Sequence, residues 1–169
     1  MTPPGKIPFP SFDIDMVNRL IQDRRSLFPR DFSGETVDRK DVEQILENAN
    51  WAPTHGRTEP WFFLVMSGSA LEKFGLTHAE MYKEHTPAEA FSEEKYKKLA
   101  RRPTECSHVI AICMKRGDKA KIPVVEEVEA VAMAVQNMYL TTFALGLAGY
   151  WSSGGMTYHP AMKELLYLG

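Results

Sequence analysis

The longest apolar stretch of the chain reads PVVEEVEAVAMAVQNMYLTTFALGL and covers residues 123–147. No Asp, Glu, Lys or Arg occurs between Ala130 and His159, a length that would allow a membrane-spanning helix. The stretch nevertheless begins with three glutamates instead of a basic flank, contains Gln136 and Asn137, and ends among glycines. We therefore predict a long helix that is buried inside a soluble protein or in its dimer interface, with no membrane partner.

Patterns on both sides of this stretch predict shorter helices. Apolar residues at helical spacing predict one helix over about 13–24 and a second over about 38–50. Ser69 and Glu72 form a capping-box pattern that would open a third helix. A further helix is expected to begin at His159-Pro160.

Strand signals are few. Aromatic and β-branched runs predict strands at 61–66 and 108–114, and the first run lacks polar alternation, so helices should cover both of its faces. Weaker signals predict a third strand at 149–153 with a turn at 154–155, and a last strand over 165–168. Because few strands alternate irregularly with helices, we predict an α+β fold in which a mixed central sheet lies between helix layers.

The domain organisation follows from length and local composition. With 169 residues, the chain suits one domain, which we place at 13–169 after a proline-rich extended arm at 1–12. Residues 78–104 are polar and without clear period, and we interpret them as a variable, less firmly packed insertion with short helices near the site. No GxGxxG or GxxxxGK[ST] pattern is present, which excludes the common dinucleotide and P-loop fingerprints.

Charge and cysteine usage exclude other classes of function. The net charge of −2 gives no general attraction to nucleic acid, so we expect no nucleic-acid partner. Cys106 and Cys113 do not form a metal-binding spacing, and we expect no metal site. Two scattered cysteines fit a reducing compartment, and we assign the chain to the cytoplasm.

The first cluster that could carry chemistry is Arg24-Arg25-Ser26, at the carboxyl end of the first predicted helix. Two guanidinium groups and a hydroxyl can hold a phosphate through charge-assisted hydrogen bonds. The alternative is that the two cations only complement the helix dipole. The residues alone leave both interpretations open.

Two further segments could contact a ligand. The loop from Trp51 to Trp61 is rich in hydrogen-bonding side chains and could place a polar edge against a planar ligand, or it could be a structural connection. Residues 149–155 have small side chains, glycines and hydroxyls that would let a ligand approach the backbone, or they form an ordinary glycine-rich turn. For His55 alone, a structural role is the usual interpretation.

Taken in order, these segments resemble the nitroreductase family of flavoenzymes, and in particular its small single-domain branch, whose members carry a histidine where His55 stands. The resemblance covers nearly the whole chain from residue 14 onward. The matching motifs are Arg24-Arg25-Ser26, Ala52-Pro53-Thr54 with Glu59-Pro60-Trp61, Gln136-Asn137, and Gly146-Leu147-Ala148-Gly149 leading to Trp151.

The resemblance implies a cofactor, an assembly and a set of site residues. It implies a homodimer that holds FMN at its interface, with NADH or NADPH as co-substrate. The implied residues are Arg24, Arg25 and Ser26 for the phosphate and ribityl chain, Trp51 and His55 for the partner subunit's flavin, Trp151, Ser152 and Ser153 for the flavin edge, and Thr141 for nicotinamide.

The implied reaction is ping-pong hydride transfer from NAD(P)H through FMN to a nitroaromatic, a quinone or a similar small acceptor. FMN would supply the redox chemistry, so no catalytic side chain is expected. The alternatives are a flavin carrier without turnover, or a relative that performs dehalogenation, flavin destruction or dehydrogenation. Arg57 and Glu59 depart from the family, which often has Asn and Gln there, and the two side chains could pair with each other.

Overall fold

The computed structural model describes residues 11–116 and 121–166, and the statements below concern those residues. Its helices are α1 (Ile14–Asp23), α2 (Arg39–Ala49), α3 (Ser69–His85), α4 (Glu93–Arg101), α5 (Val124–Ala144) and α6 (Pro160–Leu165). Its strands are β1 (Trp61–Ser67) and β2 (His108–Met114). Short 3₁₀ turns lie at Pro29–Asp31, His55–Arg57, Ala88–Ala90 and Arg102–Glu105.

The two strands form an antiparallel pair in which Phe63 lies opposite Ile112 and Leu64 lies opposite Ala111. Alternate side chains of a strand point to opposite faces of a sheet. Phe63 and Ile112 therefore face α2 and α5, whereas Leu64 and Ala111 face α3 and α6. The predicted three-layer α+β arrangement is confirmed. The buried residues are Ile45, Ala49, Ala52, Ala134, Val135 and Met138 on the first face, and Met81, Cys113, Met162 and Leu166 on the second.

The sheet is smaller than predicted, because the third strand at 149–153 is not formed. In the described part of the chain, the one main-chain hydrogen bond of this segment to another runs from the Leu27 N–H to the Gly149 carbonyl, at 3.2 Å. A strand needs a ladder of such bonds, and the composition of a segment does not reveal whether a partner strand is available. The described sheet is therefore two-stranded and antiparallel instead of mixed.

The last predicted strand, at 165–168, is also wrong where it can be compared. Leu165 belongs to α6, and the Leu166 N–H continues the helical pattern with a 3.0 Å bond to the Met162 carbonyl. Short apolar runs fit a buried helix as well as a strand, which explains the error. Tyr167 and Leu168 lie outside the described residues.

Helix α3 extends beyond the boundary that the sequence predicted at residue 78. It runs to His85 and buries His78, Ala79, Met81 and Tyr82 against the rest of the domain. The buried side chains recur at helical spacing, but their polar atoms and charged neighbours hide that period in the sequence. The segment 78–104 therefore includes the second half of a core helix, followed by α4.

The start of α3 was predicted at the right place but with the wrong cap. Ser69 is already the first helical residue, and Gly68 precedes it with a φ of 56° and without a side-chain cap. Glycine adopts this positive φ without the steric cost that other residues meet. The turn after β1 therefore depends on glycine, and the capping box is not formed.

Helix α5 packs on the core with one face and exposes apolar side chains on another. Val125 and Val128 are more than half exposed, and α1 contributes no buried residue although Ile14 and Ile21 form an apolar stripe on it. Apolar area of this kind on a domain surface marks an interaction site. None of the described helices is long and apolar enough to cross a membrane.

A buried ion pair attaches the start of α5 to the end of β2. Glu127 is 2 % exposed, and its carboxylate lies 2.6 Å from the Arg116 Nε. Arg116 also donates to the Ile122 carbonyl at 2.8 Å. The guanidinium thus compensates a charge that would be costly to enclose alone.

Arg116→Met is expected to lower the free energy of unfolding by about 3 kcal/mol, because it removes a charged partner of the enclosed Glu127 carboxylate. Adding Glu127→Gln should recover a large part of that loss, since the amide carries no charge. Urea unfolding of the three proteins measures both effects. Equal stability of the single and double variants would show that the charge of Glu127 is not the cause.

Candidate functional site

The Arg24-Arg25-Ser26 segment begins where α1 ends. Arg25 is exposed and donates from its guanidinium to the carbonyl oxygens of Gln22 and Arg24, the second at 2.9 Å. These are the contacts of a cation that complements a helix carboxyl end. Ser26 is exposed beside it.

Arg24 has a different environment. It is half-buried, and its guanidinium lies over the Tyr139 ring, 5.4 Å from the ring centroid. Within the described ranges, no carboxylate lies at ion-pair distance from Arg24. The Tyr139 hydroxyl is enclosed and has no hydrogen-bond partner among the same residues. A positioned guanidinium without a counter-ion can bind an anion.

The structure brings this segment next to residues 149–153. The Leu27 N–H donates to the Gly149 carbonyl, and the Phe28 and Tyr150 rings are 4.9 Å apart. A Cβ built on Gly149 would lie 3.8 Å from the Tyr139 ring, so the same tyrosine borders both segments. Beyond Tyr150, the chain exposes the ring of one tryptophan and two hydroxyls; these residues are Trp151, Ser152 and Ser153.

The loop that precedes β1, residues 51–60, makes a separate set of contacts. Trp51 is 78 % exposed, and His55 Nδ1 lies 2.5 Å from the Glu126 carboxylate at the start of α5. In the described residues, no hydrogen bond, ion pair or ring contact joins Trp51 or His55 to the Arg24–Ser26 segment. In one subunit, the predicted site residues therefore form two groups that share no direct contact of these kinds.

The backbone of this loop is unusual at Arg57 and Glu59. Their φ angles are 57° and 45°, in the left-handed region that non-glycine residues seldom adopt. No ion pair joins the two side chains in the part of the chain that is described, so the pairing considered from the sequence does not form. Conformations of this kind cost about 1–3 kcal/mol and cluster at ligand-binding sites.

Thr141 is half-buried and its hydroxyl is engaged in hydrogen bonds. Its hydroxyl donates to the Asn137 carbonyl at 2.8 Å and accepts from the Asn48 side chain, also at 2.8 Å. Asn137 in turn donates to the Asn48 carbonyl at 3.1 Å. The hydroxyl of Thr141 thus links α2 to α5, and its one remaining lone pair could accept a hydrogen bond from a nicotinamide amide.

Sequence reasoning missed His78, which lies against the turn that follows Ser153. Its Nε2 accepts a 2.9 Å hydrogen bond from the Met156 N–H, and its side chain is 8 % exposed. Burial lowers the pKa of His78, which keeps the ring neutral and able to accept this bond. The two residues are 78 positions apart in the chain, so no local pattern could have paired them.

The chemistry available to this arrangement is binding of an anion and of a planar group. Arg24 and Ser26 can hold a phosphate, and Trp151 with two hydroxyls can border an aromatic ring system. In the described ranges, no group of three or more His, Cys, Asp or Glu side chains is placed to hold a metal ion. The arrangement therefore combines, on a three-layer α+β fold, groups that are chemically able to receive a phosphate and an aromatic ring.

Comparisons with known proteins give the family. The nitroreductase family profile matches residues 21–169. Escherichia coli YdjA, provisionally named an NAD(P)H nitroreductase, is 26% identical over 123 residues, which cover 73% of this chain and 65% of that protein. This chain thus spans slightly less than two thirds of that relative's length. The chain belongs to the nitroreductase family, as the order of its motifs predicted.

Solved structures agree with this membership. A nitroreductase-like family protein of Bacillus cereus superposes with a TM-score of 0.72 and 25% identity, covering 96% of this chain and 80% of that one. A provisionally assigned nitroreductase of Desulfovibrio desulfuricans, solved in complex with FMN, has a TM-score of 0.63 and 26% identity, covering 90% of this chain and 75% of that one. The fold of the family is therefore present in this chain.

The neutral His78 ring predicts a dependence of stability on pH. Because its pKa is lowered in the folded state, the unfolded chain takes up the proton first, at about pH 6.5. The contribution of His78 is thus complete above about pH 6.5 and is lost as the pH falls towards the folded pKa. Each pH unit inside that window should cost up to about 1.4 kcal/mol.

Urea unfolding of the parent and of His78→Gln between pH 5 and 8 measures this effect, because the difference between the two removes the contributions of the other four histidines. The difference should shrink as the pH falls. A constant difference over the whole range would exclude a buried, neutral His78.

Proposed function

We propose that this protein is an FMN-dependent oxidoreductase that carries hydride from NADH or NADPH to a small acceptor such as a nitroaromatic or a quinone. The observation that carries the proposal is the position of Arg24. Its guanidinium has no carboxylate partner among the described residues, lies over Tyr139, and belongs to a segment that adjoins the exposed Trp151–Ser153. Membership of the nitroreductase family and an FMN-bound relative at 26% identity support it.

The residues present suit FMN at both of its ends. Arg24, Arg25 and Ser26 offer cations and a hydroxyl to a phosphate, and the Arg25 contacts to helix carbonyls leave further guanidinium donors available. Ser152 and Ser153 offer hydroxyls to the polar edge of the ring, and Trp151 offers an apolar face. FMN accepts and returns the hydride when it is bound, and this chain binds and orients it.

The acceptor and the nicotinamide are proposed to use the same open face of the flavin in turn, which gives ping-pong kinetics. We assign no side chain to proton transfer or nucleophilic attack. Thr141 is proposed to position α5 beneath the site through its bonds to Asn48 and Asn137, with nicotinamide contact as a secondary role. We assign the protein to the cytoplasm, where a reducing environment suits its two free cysteines.

The assembly is proposed to be a homodimer formed through α1 and the outer face of α5. These surfaces carry exposed apolar side chains, and α1 buries none of its residues in one subunit. A twofold interface would cover the same patch on both subunits. It would also bring Trp51, which is 78 % exposed, and His55 to the partner subunit's flavin.

The proposed activity is tested by adding FMN and then NADH or NADPH to the purified protein. The expected result is a yellow protein that, in anaerobic buffer, oxidises the nicotinamide continuously only when a nitroaromatic or quinone acceptor is present, with parallel lines in double-reciprocal plots. Flavin bleaching without turnover would indicate a flavin carrier, and a different product from bound FMN would indicate other flavin chemistry. A protein that binds no flavin would overturn the proposal.

Arg24→Leu is expected to weaken FMN binding by about 1.5–3 kcal/mol, the range for hydrogen bonds to charged groups. Riboflavin lacks the phosphate, so its affinity should hardly change. Flavin fluorescence titration measures both affinities, and Arg39→Leu on α2, where Arg39 is exposed and pairs with Glu43, is the matched control. Equal losses for FMN and riboflavin would assign Arg24 a structural role instead.

Val128→Lys is expected to give a folded monomer with weakened FMN binding, because it places a charge in the proposed interface at a side chain that is 51% exposed in one subunit. Leu76→Lys is the control, since Leu76 is 50% exposed on α3, on the opposite face of the sheet. Sedimentation equilibrium at micromolar concentration measures the assembly. A flavin-loaded monomer of the parent protein, or a dimeric Val128→Lys variant, would contradict this interface.

A further inference from the structure

Residues 150–156, called the lining segment here, contain the proposed flavin contacts but little structure of their own. Residues 151–155 are exposed and belong to neither a helix nor a strand. The segment's internal bond is a 3.4 Å contact from the Gly154 N–H to the Ser152 hydroxyl, and the Thr157 hydroxyl, just beyond the segment, donates to the Gly154 carbonyl. Something outside the segment must therefore fix its shape.

The carboxyl end of the lining segment is fixed by α3 and α4. The Met156 N–H donates to His78 Nε2 at 2.9 Å. Gly155 has a φ of 67°, and a Cβ built on it would lie 2.5 Å from that same nitrogen and 2.8 Å from the Leu99 side chain. The backbone thus approaches the imidazole and Leu99 so closely that only glycine fits at this position.

The amino end of the lining segment is fixed by the turn that follows α4. The Arg102 guanidinium lies over the Tyr150 ring, 5.0 Å from its centroid. The Tyr150 ring also contacts Phe28, from the segment that follows Arg24–Ser26. Arginine over an aromatic ring is attracted by the electrons of the ring face. Both ends of the segment are therefore held by residues of the 78–104 region.

We propose that His78 and Arg102 are positioning residues that hold the lining segment in the shape that receives the flavin ring. The α3–α4 region then acts as a brace for the cofactor site and is not a separable insertion over it. This inference rests on the proposed function, since it takes Trp151–Ser153 as contacts of the flavin ring. It revises the expectation that this region is a less firmly packed insertion near the site.

The brace and the phosphate site have different signatures. A variant of the phosphate site weakens FMN alone, because riboflavin and lumiflavin lack the phosphate. A brace variant acts on the ring and should weaken FMN, riboflavin and lumiflavin by the same factor. It should also change the visible circular dichroism and the midpoint potential of the bound flavin, which report the surroundings of the ring.

The first test uses His78→Leu, which removes the acceptor and leaves the Met156 N–H without a bond. Loss of a buried bond of this kind corresponds to about a tenfold change in an equilibrium constant. We expect about tenfold faster hydrogen exchange at the Met156 amide and about tenfold weaker binding of all three flavins. His78→Gln, whose side-chain oxygen can accept the same bond, should restore most of both.

The second test uses Arg102→Met, which keeps an apolar side chain over Tyr150 but removes the cation. Arg102 is only half-buried, so the variant should fold. We expect about threefold weaker binding of the three flavins, the size of one such contact. Arg101→Met is the matched control, because the Arg101 side chain is 74% exposed and pairs with Glu105 instead.

The outcomes separate this inference from the proposed function. A loss confined to FMN, or unchanged flavin affinity in His78→Leu with faster exchange at Met156, would overturn the positioning role. So would a failure of His78→Gln to restore binding. A parent protein that binds no flavin would refute the proposed function, whereas the exchange rate at Met156 still tests the contact between the brace and the segment.

Discussion

The packing of α5 against the β1–β2 sheet is the constraint on which the rest of the structure depends. The same helix that closes the core also supplies one contact to each separate segment around the candidate site. The Tyr139 ring lies under Arg24, and the Thr141 hydroxyl is hydrogen-bonded to Asn48 of α2. Glu126 contacts His55, and Glu127 pairs with Arg116, which follows β2. Because α5 is rigid and central, all of these segments are positioned relative to the same helix. A shift of α5 would therefore move both groups of proposed cofactor residues together.

Around that rigid centre, the site itself is built from irregular backbone held by few contacts. Residues 151–155 are exposed, and the loop before β1 stores strain at Arg57 and Glu59. A single side-chain hydrogen bond or cation–π contact contributes about 1 kcal/mol, small beside the core but large for a loop that has little else. The exposed residues of the proposed binding surface can therefore be altered without loss of the fold, because they belong to neither core cluster, although Tyr139 of α5 borders this surface.

Local patterns predicted the elements whose burial follows from their own sequence. The strand at His108–Met114 and the helix over Val124–Ala144 lie where composition placed them, and the motifs that identify the family are local as well. The wrong or missed predictions concern which other segment each element contacts. Nothing within residues 149–153 tells whether a neighbouring strand exists, and nothing near His78 tells that it faces Met156. The separate segments of the candidate site could thus be predicted from the sequence, whereas the contacts that hold them in place join chain positions that are far apart.

The two ends of the proposed cofactor site rest on different physical forces. The phosphate end depends on the charge of Arg24, which is half in solvent and therefore weakened by dissolved salt. The ring end depends on a buried imidazole, on a glycine at which a side chain would clash, and on the Arg102 cation over Tyr150, so salt acts on only one of its contacts. Since Tyr139 borders Arg24 and Gly149 alike, the two ends adjoin without sharing their source of affinity. The proposed site can thus hold a flavin firmly by its phosphate, while the α3–α4 region, which is distant only in the sequence, determines the environment of the ring.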